Sequence, residues 1–171
     1  MAIFRPVLAR YAVLGTLAGA IIGFSGTQKA VAQPSDSARA ETVSWSAPTI
    51  IPAKGDKAKL TLNGTVLAGW HVYSLKQALE GPTPLVVTLD ANEIAAADGT
   101  VTETKPTTFK DPAFGVDTHF YSNAFTLTLP VKLKSKIAAG QVPVSVRFQT
   151  CNGRICQPPK TVHLSANLAG G

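Results

Sequence analysis

Val142-Pro143-Val144-Ser145-Val146-Arg147-Phe148 decides the fold, because its apolar residues occupy every second position. A period of two sends one set of side chains to one face, the mark of a half-buried β-strand. The pattern recurs three times. Ala58, Leu60 and Leu62 alternate with Lys57, Lys59 and Thr61, and Phe125, Leu127, Leu129 and Val131 with Ala124, Thr126, Thr128 and Pro130. Val162, Leu164, Ala166 and Leu168 repeat it near the end of the chain. Lys54-Gly55-Asp56, Asn63-Gly64, Gly81-Pro82-Thr83-Pro84, Asp98-Gly99 and Asn152-Gly153 read as turns between such runs. Leu85 to Leu89 is a compact apolar run, which predicts a more buried strand. Only Ala91 to Ala97 and Lys132 to Ala139 have room for a helical turn. Many short strands with frequent turns indicate a β-sandwich or barrel. The reading adopted is an all-β, mostly antiparallel sandwich with immunoglobulin-like connections, its strand order left open.

After Gln149 and Thr150 the same strand gives way to Cys151-Asn152-Gly153-Arg154-Ile155-Cys156-Gln157-Pro158-Pro159, which holds both cysteines of the 171-residue chain. A bridge between them closes a ring of six residues, worth roughly 2.2 kcal/mol of chain entropy against about 4.7 for a 100-residue loop. A staple would act more strongly between distant segments. So local a pair, on a turn that two prolines stiffen at its exit, fits a redox couple, with a structural hairpin clasp as the alternative. Thiol–disulfide exchange needs an accessible sulfur, and a turn at a strand end supplies it. Arg154 and Lys160 either favour a thiolate or are ordinary solvated charges.

Residues 1–32 read as a secretory signal. Arg5 and Arg10 form a basic start, Tyr11 to Phe24 is uncharged and apolar, and Ala30-Val31-Ala32 offers a cleavage site before Gln33. The apolar run falls short of the roughly 20 residues of a membrane span, although retention as an anchor is the alternative. Residues 33–41 read as a flexible leader and 42–168 as one domain. Loss of Arg5, Arg10 and Lys29 with the signal lowers the formal charge from +6 to +3. No basic stripe with interleaved aromatics remains, so nucleic-acid binding has no support. A periplasmic, soluble product without stable membrane insertion is expected.

Structural zinc takes four ligands, whereas the chain offers one cysteine pair and the scattered His71, His119 and His163. Copper on two thiolates is chemically open, but neither metal nor cofactor is expected. No hydrolase elbow, zincin helix or phosphate loop is present.

Phe148-Gln149-Thr150-Cys151, then Cys156-Gln157-Pro158-Pro159-Lys160-Thr161-Val162, resembles the end of the N-terminal periplasmic domain of the thiol:disulfide interchange reductase DsbD. Gly69-Trp70-His71-Val72-Tyr73-Ser74 with Gly81-Pro82-Thr83-Pro84 is similar to that family's early aromatic strand and its turn. Asp111-Pro112-Ala113-Phe114-Gly115, followed by Phe125 to Val131, is similar to its cap loop and next strand. The resemblance spans residues 42–168. It implies an immunoglobulin-like sandwich acting as a thiol:disulfide oxidoreductase of the protein-disulfide reductase type. Cys151 and Cys156 match the redox pair, Phe114 the aromatic that shields it, and Asp111 the opening of the cap. His71 and Tyr73 fall on the aromatic strand near the site. The family domain takes electrons from a thioredoxin-like domain and passes them to periplasmic proteins, including disulfide isomerases and cytochrome c maturation factors. No membrane or thioredoxin-like part follows the last strand here, so the thioredoxin-like donor is expected on another polypeptide. Two departures stand out: four residues separate the cysteines where the best-known member has five, and the cap aromatic falls one place later. A secreted sandwich with binding or chaperone-like duties and a structural disulfide is the alternative function.

Overall fold

The computed structural model describes residues 41–134 and 139–169. The signal segment 1–32, nearly all of the leader and the centre of Lys132 to Ala139 lie outside these. Among the described residues every regular element is a strand: β1 (Val43–Trp45), β2 (Thr49–Pro52), β3 (Lys57–Val66), β4 (His71–Tyr73), β5 (Val86–Leu89), β6 (Ala95–Ala97) and β7 (Thr102–Glu103) come first. Then follow β8 (Thr107–Lys110), β9 (Asp117–Tyr121), β10 (Ala124–Leu133), β11 (Gly140–Phe148), β12 (Thr150–Cys151) and β13 (Lys160–Leu168).

The alternating runs set the register. β3 and β10 pair antiparallel with Leu60 opposite Leu129 and Leu62 opposite Leu127. β11 and β13 pair antiparallel along their length, with Val144 opposite Leu164 and Val146 opposite Val162. β2 joins these pairs, antiparallel to β3 and parallel to β13. The result is one nine-stranded sheet whose main path runs β5-β11-β13-β2-β3-β10-β6. Leu60, Leu62, Phe125, Leu127 and Leu129 from one half share a single buried cluster with Val144, Val146 and Phe148 from the other. The sheet therefore folds over at β2 and faces itself, giving an all-β, mostly antiparallel, immunoglobulin-like sandwich. Trp45 links the two layers, with its ring 5.5 Å from Phe125 and 5.7 Å from Phe148.

Three local expectations are corrected. Asn63-Gly64 makes no turn; both residues lie inside β3. Gly64 sits opposite Phe125, and a Cβ there would stand 2.5 Å from the Phe125 ring. That ring stacks on Tyr121 at 4.5 Å and 6°, so glycine serves close packing rather than chain reversal. Leu85 to Leu89 is not a buried strand: β5 pairs only with β11 and lies at the sheet edge, with Val86 exposed and Leu85 alone fully covered. Ala91 to Ala97 holds no helical turn. Asn92 Oδ1 accepts the N–H groups of Ile94 (2.9 Å) and Ala95 (2.7 Å), and the alanines continue as β6 against β10. The side chain thereby offers the backbone a turn in place of a helix.

A second, four-stranded sheet, ordered β12-β4-β9-β8, carries the cysteines. The chain leaves the sandwich at one residue. Phe148 is in the core; Gln149 accepts the Tyr73 N–H on its carbonyl (3.2 Å) and the Thr83 N–H on Oε1 (2.8 Å). Thr150 then pairs with Val72, and its hydroxyl meets that of Thr42 in a buried contact of 3.0 Å. Three segments are thus tied at the point where sandwich becomes site.

Candidate functional site

The turn after β12 is built from its own residues. The Asn152 N–H donates to the Ile155 carbonyl at 3.1 Å, and Asn152 Oδ1 accepts from the N–H groups of Arg154 and Ile155. Gly153 adopts φ +80°, a left-handed conformation that glycine reaches without steric cost. The Gln157 N–H returns to the Thr150 carbonyl at 2.9 Å. This narrow hairpin places Cys151 and Cys156 face to face, and they are joined as a disulfide. The two cysteines differ in exposure: Cys151 is 2% exposed, whereas Cys156 belongs to the open surface. Cys151 is thus the inner member of the pair and Cys156 the outer.

Beside the bridge lies a cavity of about 400 Å³. Cys151, Cys156, His71, Asp111, Pro112 and Ala113 all line it, so the beginning of the cap loop forms a wall facing the hairpin. Trp70, Phe109 and Phe120 supply aromatic surface; Asp111 and Arg154 are the charged residues of the lining. Phe109 and Ile155, on the lining, remain 46% and 62% exposed, an apolar margin next to a reactive group. Apolar surface of this kind around a few polar groups suits recognition.

Asp111 organises the cap. It is buried, its Oδ2 accepts the Tyr73 hydroxyl at 2.8 Å, and its Oδ1 accepts the Ala113 N–H at 2.8 Å. The Asp111 carbonyl accepts the Gly115 N–H at 2.7 Å, and its N–H donates to Val116, closing the loop on itself. Burial first, and then the bond to Asp111, pushes the Tyr73 phenol well above its ordinary range, so it stays a donor. His71 lies directly across the ladder from Cys151. Burial lowers its pKa, with the Asp111 charge opposing, and its Nε2 is buried without a hydrogen-bond partner.

Aromatic rings extend across the small sheet. Phe114 meets Tyr73 edge-on at 6.0 Å, Tyr73 meets His71 at 5.2 Å, and His71 meets Phe120 at 5.0 Å. Phe120 in turn meets Phe109 at 5.9 Å. The structure thus gathers Cys151, Cys156, Asp111 and His71 on one cavity, with Tyr73 attached through Asp111 and Phe114 through Tyr73. Phe109 and Phe120 escaped sequence reasoning, since β8 is exposed at every position and the burial of β9 breaks the period of two. Lys160 sits over the Phe148 ring at 5.3 Å, a cation–π contact. His119 and His163 are engaged elsewhere, by Thr108 at 3.0 Å and Ser145 at 2.9 Å.

Comparison with known proteins bears on this arrangement. No curated protein matches the chain. Among solved structures, the reduced DsbD N-terminal domain of Neisseria meningitidis is 17% identical, with 72% of this chain and 83% of that one covered and a TM-score of 0.47. The N-terminal periplasmic domain of ScsB from Proteus mirabilis is 13% identical with a TM-score of 0.52; it shares the fold over 73% of this chain, which spans 46% of that one. The family described as "Thiol:disulfide interchange protein DsbD, N-terminal" matches residues 41–167. With a bridged cysteine pair on the hairpin that follows the sandwich strand β11 and a match over almost all of the domain, the chain belongs to the DsbD N-terminal family.

Proposed function

We propose that this protein is a periplasmic thiol–disulfide exchange module that relays reducing equivalents through Cys151 and Cys156. It takes them from a thioredoxin-like donor and delivers them to disulfide-containing periplasmic proteins. The observation that carries this reading is the asymmetric bridge: Cys156 open, Cys151 covered, both on one cavity. In the loading step a donor thiolate attacks Cys156 Sγ, and Cys151 leaves with the electron pair of the broken bond. The donor's second thiolate then attacks its own sulfur in the mixed disulfide, freeing Cys156 and leaving the donor oxidised. Delivery is the reverse: the Cys156 thiolate attacks the acceptor disulfide and Cys151 resolves the intermediate.

The cap loop serves selectivity. Asp111, held by Tyr73, fixes the loop beside the bridge, and Phe114 anchors it against the same tyrosine. The cap narrows the approach to the bridge from the cavity side, slowing small thiols relative to a cognate partner that displaces it. Equilibration with reduced thioredoxin-like proteins tests the relay. The expected reduction potential lies above about −300 mV, the region of labile bridges, and Cys156→Ala abolishes transfer while the domain stays folded. A potential below that value, or unfolding of Cys156→Ala, makes the bridge a structural clasp.

A further inference from the structure

We propose that His71 is the proton acceptor for Cys151 when the Cys151 thiol resolves a mixed disulfide held on Cys156. The inference rests on the exchange reading above and adds a residue to its chemistry. Resolution needs Cys151 as a thiolate, since the thiol is a poor nucleophile. Cys151 is covered from water, and burial in apolar surroundings disfavours the thiolate. A nearby base is therefore the natural route for the proton.

The small sheet supplies one. Cys151 and His71 are directly opposed in the antiparallel ladder, so their side chains share one face at neighbouring positions. Both line the same cavity. The His71 Nε2 is buried with no hydrogen-bond partner. With the ring proton on Nδ1, Nε2 presents a lone pair that the disulfide form leaves unused. A buried orphan of this kind calls for a reason, and a thiol on Cys151 provides the missing donor.

The surrounding charges fit the assignment. Asp111 is the carboxylate facing His71, but its oxygens already accept from Tyr73 and Ala113. Tyr73 is kept protonated and cannot take a proton. Arg154, on the cavity lining, offers no acceptor. Phe120 packs against the imidazole with apolar surface. Burial holds the imidazole neutral, the form that accepts, while the Asp111 charge stabilises the imidazolium once formed. In the step itself, Cys151 Sγ gives its proton to Nε2 and its electron pair to Cys156 Sγ. The Cys151–Cys156 bond forms, the bond from Cys156 to the partner breaks, and the partner sulfur leaves as a thiolate. His71 then returns the proton to solvent.

The reduced protein mixed with 5,5′-dithiobis(2-nitrobenzoate) in a stopped-flow instrument separates the two events. Attack by Cys156 releases one thionitrobenzoate in a concentration-dependent phase; resolution by Cys151 releases the second in a concentration-independent one. His71→Phe keeps the ring shape and removes the base; His71→Gln guards against a packing artefact. Both variants are expected to leave the first phase near wild type and slow the second about a hundredfold, the low end for general-base assistance. The wild-type second phase should be flat with pH above the His71 pKa, while the variants gain about tenfold per pH unit until the thiol itself ionises. An unchanged second phase with an unchanged pH profile in both variants overturns the assignment and leaves the exchange reading standing. Absence of a second phase in the wild type overturns both.

Discussion

The sandwich and the small sheet are built on opposite principles. In the sandwich, β3, β10 and β11 run for nine or ten residues with burial alternating almost strictly, and their stability comes from apolar area. In the small sheet the strands are two to five residues long, and every residue of β8 is exposed. Val72 and Tyr121 anchor that sheet on the core, and around the bridge it is held by polar contacts on Asp111 and Gln149 and the rings from Phe114 to Phe109. The difference separates two requirements. On the proposed function the scaffold stays fixed, whereas the surface around the bridge opens to a partner and closes again. Regions that move are drawn from the less stable parts of a fold.

The largest expected effect lies in the scaffold. Leu127 is fully buried between the layers, and Leu127→Ala should cost about 3 kcal/mol through lost burial and a residual cavity. Chemical denaturation measures it. Exchange kinetics of the folded variant should match wild type, and a changed rate would break the separation between the two regions. Next comes Gly64→Ala, whose new methyl collides with a Phe125 ring already stacked on Tyr121. About 2 kcal/mol is expected from overpacking, and a neutral result in thermal unfolding would show that the aromatic stack can shift.

Smaller changes are expected at the site. Phe114→Ala removes one edge-on ring contact with Tyr73, a loss of about 1 kcal/mol, and should speed reaction of the bridge with small thiols several-fold. If stopped-flow exchange is unaltered, Phe114 has no shielding role and the cap relies on residues 111–113. The smallest effect concerns pH. The unfolded His71 binds a proton near pH 6.5, whereas burial makes the folded form bind it only at lower pH. Between those values the unfolded state holds more protons, so stability falls as pH drops from about 6.5 through the folded-state pKa. Above about pH 6.5 this histidine contributes no slope. His71→Phe should flatten that part of the stability–pH curve measured by denaturation.

What the sequence disclosed follows the same division. Alternation in β3, β10, β11 and β13 exposed the sandwich because one face of each strand is buried by a neighbour that obeys the same rule. It misjudged Leu85 to Leu89, whose composition suits a core strand but whose place is an edge. It misjudged Ala91 to Ala97 because alanine favours a helix locally, while the Asn92 side chain and the pairing of β6 with β10 override that preference. The cysteine pair was legible from its spacing, and Asp111 and His71 from resemblance. The opposition of His71 and Cys151 was not, since β12 is two residues long and carries no period. Phe109 and Phe120 acquire meaning only when β8 and β9 bring them beside the hairpin.

The hairpin bearing the bridge is closed by backbone bonds of its own, from Asn152 to Ile155 and from Gln157 to Thr150. These bonds shape the turn without drawing on either sulfur. Two cysteines also permit a single intramolecular pairing, so no scrambled isomer exists to be rescued. Biogenesis can then proceed in either order, with assembly preceding oxidation or following it. On the proposed function, such a domain can be charged or discharged as soon as it has folded.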